Sequence, residues 1–136
     1  DMGADPVREL FEAPGNDDIA IHTIALGDDA DRDLHEAIAD CRMAIATDPD
    51  FGNPYNDLGA YLVTQSHVDE AIPWFEKAKR ARRYRARHFP FLNLGRLYAR
   101  RGLFDLAAYE FQHALSLRPG HPAAVSFLSK SPLRPN

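Results

Sequence analysis

Apolar residues recur at intervals of three and four along most of this chain. Leu34, Ala37, Ile38, Cys41, Ala44 and Ile45 form one such stripe, which predicts an amphipathic helix from Asp31 that Asp48-Pro49 ends. Tyr55, Leu58, Gly59 and Leu62 form a second, on a helix capped by Asn53, with Pro54 at its first position and an end near Gln65. Ser66 with Asp69 resembles a capping pair opening a third helix, whose face (Trp74, Phe75, Ala78) runs to Arg82. Pro73 lies inside that helix, so a kink or a late start near Asp69 is expected. A fourth helix runs from Pro90 to Arg101 with Phe91, Leu94, Gly95 and Tyr98 inward, and Gly102 makes the turn. The fifth, from Leu103 or Phe104 to Leu117, carries Ala107, Ala108, Phe111, Ala114 and Leu115 inward. Pro122 to Lys130 reads as a short covering helix using Val125, Phe127 and Leu128. Upstream, Pro6 to Glu12 allows a short helix, and residues 16–26 fit either a helix or an alternating strand.

The stripes repeat. Pro54 to Ala78 return 36 positions later as Pro90 to Ala114, through the pairs Tyr55/Phe91, Leu58/Leu94, Gly59/Gly95, Asp69/Asp105, Ala71/Ala107, Phe75/Phe111 and Ala78/Ala114. A weaker echo lies 34 positions upstream, where Glu36, Ala37, Ile38 and Ala44 match Glu70, Ala71, Ile72 and Ala78. Repetition at this period predicts stacked helical hairpins, each too small to bury its apolar face alone. The expected fold is all-α, an antiparallel hairpin stack of about two and a half repeats with a short C-terminal capping helix. An acidic lead-in (1–17) precedes a repeat domain (18–130), divided into 18–51, 52–87, 88–121 and a cap at 122–130. The tail 131–136, with two prolines, reads as disordered.

The pattern aromatic-x-x-Leu-Gly-x-x-(Leu/Tyr), then Ala-x-x-x-Phe-x-x-Ala, then a helix-ending proline, resembles the tetratricopeptide repeat. One copy is Tyr55, Leu58, Gly59, Leu62, Ala71, Phe75 and Ala78. The next is Phe91, Leu94, Gly95, Tyr98, Ala107, Phe111, Ala114 and Pro119, and the first keeps only Ala37, Cys41, Ala44 and Pro49. Cys41 takes the slot of Phe75 and Phe111 and reads as a small core residue. The Arg-, Ala- and Asp-rich composition has a bacterial cast. The 36-residue step departs from the usual 34, and its two extra residues fall within Arg80 to His88.

The resemblance implies a protein–protein interaction module, a scaffold or adaptor that takes a partner peptide or helix in a concave groove lined by the first helix of each hairpin. Carried over position by position, that groove contains Asn53, Asn56, Asp57, Ala60, Val63 and Thr64. The following repeat adds Phe89, Leu92, Asn93, Arg96, Ala99 and Arg100. Asn56 and Asn93 are suited to a peptide backbone, and Arg96 with Arg100, one turn apart, to a carboxylate. Against this, Asn53 also fits an N-cap, and Asn56 or Asp57 fits first-turn N–H groups. Asp57 and Phe89 stand where the two-carboxylate clamp of chaperone-binding relatives needs Asn and Lys, which disfavours a chaperone-tail receptor.

Charge adds a second candidate. The net charge of -4 conceals 14 Asp/Glu against 3 Lys/Arg in residues 1–50, and 4 against 10 in residues 51–101. The ordinary reading is solubility and favourable cations near a helix C-terminus. The sharper one is attraction between the acidic front and the basic middle, within a chain or between chains as a homo-oligomer. The connector from Lys77 to His88, with Arg80, Arg82, Arg83, Arg85 and Arg87, is the alternative site, for nucleic acid or an anionic surface. There Tyr84 and His88 are candidates to stack on bases. It ranks below protein binding because the whole chain is acidic.

No phosphate loop, nucleophile elbow or metal-binding His pair is readable, so no catalytic residue, metal or cofactor is expected and the chain reads as a non-enzyme. No apolar run approaches the roughly 20 residues of a membrane span. The lone Cys41 fits a reducing compartment and slightly favours the cytoplasm, while the start at Asp1 leaves a removed leader open.

Overall fold

A computed structural model describes residues 30–130. The expectations for residues 1–29 and 131–136 lie outside this range. The described chain is all-α, with six helices: α1 (Ala30–Thr47), α2 (Asn53–Thr64), α3 (Val68–Arg80), α4 (His88–Arg100), α5 (Phe104–Leu117) and α6 (Pro122–Lys130). None of these is long and apolar enough to cross a membrane. Described residues up to Pro90 form one compact unit, and those from Phe91 onward form a second, so the boundary falls inside α4.

In the first unit, α2 and α3 make a hairpin whose close approach depends on Gly59. A β-carbon there would sit 2.7 Å from the Phe75 ring, nearer than real side chains come. Leu58, Ala71, Phe75 and Ala78 are fully buried around this contact, which the small residues Gly59 and Ala71 permit. The turn is a Schellman motif: the Ser66 N–H donates to the Val63 carbonyl (2.8 Å) and the His67 N–H to the Leu62 carbonyl (2.8 Å). Ser66 holds the left-handed conformation this requires, at φ 68°. It is therefore the turn residue, not the helix cap, and α3 begins two positions later without a side-chain cap bond.

The second unit makes the same hairpin from α4 and α5. Gly102 takes the left-handed position (φ 76°), with Gly102 N–H to Ala99 carbonyl at 3.0 Å and Leu103 N–H to Tyr98 carbonyl at 2.8 Å. A β-carbon at Gly95 would meet the Phe111 ring at 2.9 Å. The turn bonds and the glycine–phenylalanine contact thus recur 36 residues apart. The Phe127 ring of α6 lies 4.8 Å from that of Phe111, so α6 covers the hairpin through Phe127 and Ala124, both fully buried. Val125, expected among the covering residues, is exposed, because it points about 100° round the helix from Ala124 and about 160° from Phe127.

Two further expectations are corrected and a third is met. Asn53 is the first residue of α2 rather than its cap; Gly52 holds the cap position and no side chain bonds there. Helix α4 starts at His88, which leaves Pro90 in its first turn, where a missing N–H is harmless. Helix α3 begins at Val68, beside the late start expected near Asp69, and includes Pro73. Pro73 is on the exposed side, where water can meet the carbonyl it leaves unmatched.

Candidate interaction surfaces

The basic connector is anchored rather than loose. Gly52 N–H donates to the Arg83 carbonyl and Arg83 N–H to the Asp50 carbonyl, both at 2.9 Å, as an isolated parallel bridge between Phe51 and Arg83. The Arg83 guanidinium also pairs with the Asp48 carboxylate. That hydrogen bond is the main reason the Asp48 carboxyl is held below the usual carboxylate range. Arg87 Nη1 donates to the Lys79 carbonyl at 2.6 Å, satisfying the C-terminus of α3. Lys77, Lys79 and Arg80 add positive charge to that last turn, favourable against the helix dipole.

Tyr84 and His88, expected to stack on nucleotide bases, are 6% and 7% exposed and cannot do so. Tyr84 packs into a core with Tyr55, Ala78 and Ala81. Arg80, Arg82 and Arg85 alone of the five connector arginines are exposed with no ion pair shown among the described residues. A stacking nucleic-acid surface is thereby disfavoured.

The groove residues divide sharply. Asn56 and Asn93 are 0% exposed and Asp57 is 7% exposed, and each is engaged in further interactions. They stand as buried polar groups rather than as peptide contacts. Asp57 and Asn93 are 36 residues apart, so both copies place a polar side chain in the same buried slot. Ala60, Val63, Leu92 and Ala99 are buried as well. What reaches solvent is Asn53, half-buried, and Thr64, exposed, on α2, and on α4 Phe89 and Arg96, half-buried, and Arg100, exposed.

Sequence reasoning passed over His121. Its Nδ1 accepts the Ala123 N–H at 3.2 Å, capping α6. Burial depresses its pKa below the ordinary histidine value, and the positive charges of Arg96 and Arg118 depress it further. The charges of Arg96 and Arg118 thus both act on His121, which they help to hold neutral, and Arg100 lies a helical turn from Arg96. No spacing rule connects residues 96 and 121, so the signal was absent from the sequence.

Cys41 is buried, and burial, followed by the charges of Asp57 and Asp40, pushes its thiol up to about 12. At neutral pH it is a packing group, not a nucleophile. Among the described residues no group of three or more His, Cys, Asp or Glu is placed to hold a metal ion. No protein-family model, curated protein or solved structure matches this chain.

Proposed function

We propose that this chain is a protein–protein interaction module of the tetratricopeptide type, holding an acidic extended or helical segment of a partner protein against α4. The observation that carries the reading is the cationic edge of the second unit. There Arg96 and Arg100 stand one turn apart, and Arg118 lies with Arg96 in the electrostatic reach of His121. A guanidinium can pair bidentately with a carboxylate, which suits arginines to an acidic segment. The return of the Schellman turn and the glycine–phenylalanine contact after 36 residues supports the family assignment. On this reading the chain binds without catalysing.

A phage-displayed random peptide library panned against the protein tests it. Acidic peptides are expected to be enriched. Arg96→Glu with Arg100→Glu should abolish their capture while leaving the helical circular dichroism unchanged. Enrichment of peptides without acidic residues, or equal capture by the variant, sinks the reading.

A further inference from the structure

Helix α5 buries Ala107, Phe111 and Ala114 fully and leaves a second apolar face in water. Leu106, Tyr109 and Leu117 are 47%, 55% and 47% exposed, and Leu103, just before the helix, is 43% exposed. With His113, these residues fall at steps of three and four, so they share one side of the helix in an arc of about 120°. Two ring contacts lie on this face. His113 stacks on Phe91 at 5.3 Å and meets Tyr109 at 4.4 Å.

The repeat does not require this face. The residues 36 positions earlier, on or beside α3, are His67, Glu70, Pro73 and Lys77 in place of Leu103, Leu106, Tyr109 and His113, and all four are exposed. On this side the two hairpins differ: the second carries leucine and tyrosine where the first is polar or proline, and Leu117 is exposed where its counterpart Ala81 is buried. Packing within the hairpin cannot be the cause, since Phe75 and Phe111 fill both interiors equally.

We propose that this face is the contact between two copies of the chain, paired antiparallel through α5 about a two-fold axis near residue 111. The stripe complements itself on reversal. Leu106 falls opposite Leu117 of the second copy, and Tyr109 opposite His113, with each pair occurring twice as an isologous interface requires. Tyrosine is also among the residues that dominate such contacts. At these exposures the stripe presents roughly 400 Å² per copy, the size of the largest patch on a typical monomer. The roughly 800 Å² buried by a pair is below the 1,200–2,000 Å² of stable complexes, which sets the expectation of a weak, concentration-dependent dimer.

Sedimentation equilibrium on the full chain, over a concentration series to about 0.5 mM in the weak-affinity regime, tests the proposal. The weight-average mass of the wild type should rise from monomer toward dimer. Leu106→Lys and Leu117→Glu should each weaken association by at least about tenfold. Both are exposed helix positions that accept these residues, and circular dichroism verifies folding. Combining the two substitutions sets opposite charges against each other only in the antiparallel register, and should restore the dimer. Arg96→Glu with Arg100→Glu should dimerise like the wild type, which separates this face from the proposed peptide site. A wild type that stays monomeric throughout overturns the proposal and leaves the stripe to a different protein. Undiminished association of the single variants overturns it too, and failure of the combined variant to recover overturns the antiparallel register.

Discussion

The ring of Tyr84 occupies the space that any β-carbon at Gly52 would need. The glycine is not required by backbone conformation, since Gly52 is right-handed at φ -81° and ψ -28°; it is required by the tyrosine. The contact sits beside the two backbone bonds joining residues 50–52 to Arg83 and fixes how the connector lies on the start of α2. Gly52→Ala should therefore destabilise the protein by about 1–3 kcal/mol through overpacking. Urea unfolding measures this, and a neutral result would contradict the closeness of the contact.

The same tyrosine carries a hydroxyl that is buried without a hydrogen-bond partner. Burial is the main cause that raises its pKa, the negative charge of Asp57 adds to it, and Arg87 opposes it. Removing an unpaired buried hydroxyl relieves a desolvation cost. Tyr84→Phe should leave stability unchanged or raise it by up to ~1 kcal/mol, read as an unaltered or later urea midpoint. A clear loss would show that the hydroxyl is satisfied in solution.

Ser66 and Gly102 hold equivalent left-handed turn positions, one with a side chain and one without. Ser66→Gly should stabilise the first hairpin by roughly 0.5–1 kcal/mol, because the glycine carries no β-carbon penalty. Gly102→Ala should destabilise the second by a similar amount. Nothing lies within 4 Å of the added carbon, so the cost is conformational alone. Thermal melts of both variants check the opposite signs.

Cys41 yields a pH dependence of definite direction. Its folded thiol is raised from 9.0 to about 12, so the folded state holds the proton that the unfolded chain releases first. The resulting stability is fully present below pH 9 and is lost as pH rises toward 12. A disulfide reagent at pH 8 should label the folded protein at least about tenfold more slowly than the urea-unfolded chain. Equal rates would place the thiol in solvent.

His121 behaves in the opposite sense. Its folded pKa is depressed, by burial first and then by Arg96 and Arg118, so its contribution is present above pH 6.5 and is lost as pH falls through the folded value. Protonating Nδ1 also removes the acceptor for the Ala123 N–H and so uncaps α6. His121→Ala should lose about 1 kcal/mol at neutral pH and flatten the acid limb of the stability profile. An unchanged profile in this variant would assign the acid sensitivity elsewhere.

The helices were legible because their causes are local. Three-and-four spacing places Ala71, Phe75 and Ala78 on one face whatever surrounds them, and the 36-residue echo marks where Gly59 and Gly95 must admit a phenylalanine ring. Element ends were less legible. Ser66 and Asn53 are cap-forming residues by type, yet one takes the left-handed turn and the other the first turn of α2, because the Schellman bonds and the Gly52–Tyr84 contact decided first.

The candidate surfaces depended on tertiary structure. The run of arginines from 80 to 87 reads the same whether it is free or anchored; the Arg83–Asp48 pair and the Arg87–Lys79 carbonyl bond settle it. Asn93 and Arg96 lie three residues apart on one helix, yet the first is sealed and the second reaches water. Burial is set by what packs from outside the helix, and helical periodicity carries no record of it. For the same reason the alternation along α5 foretold its inner face but left Leu106, Tyr109 and Leu117 unremarked. The sequence by itself determined which residues share a helical face, through bond geometry, and only the tertiary structure decided which of those faces meets solvent.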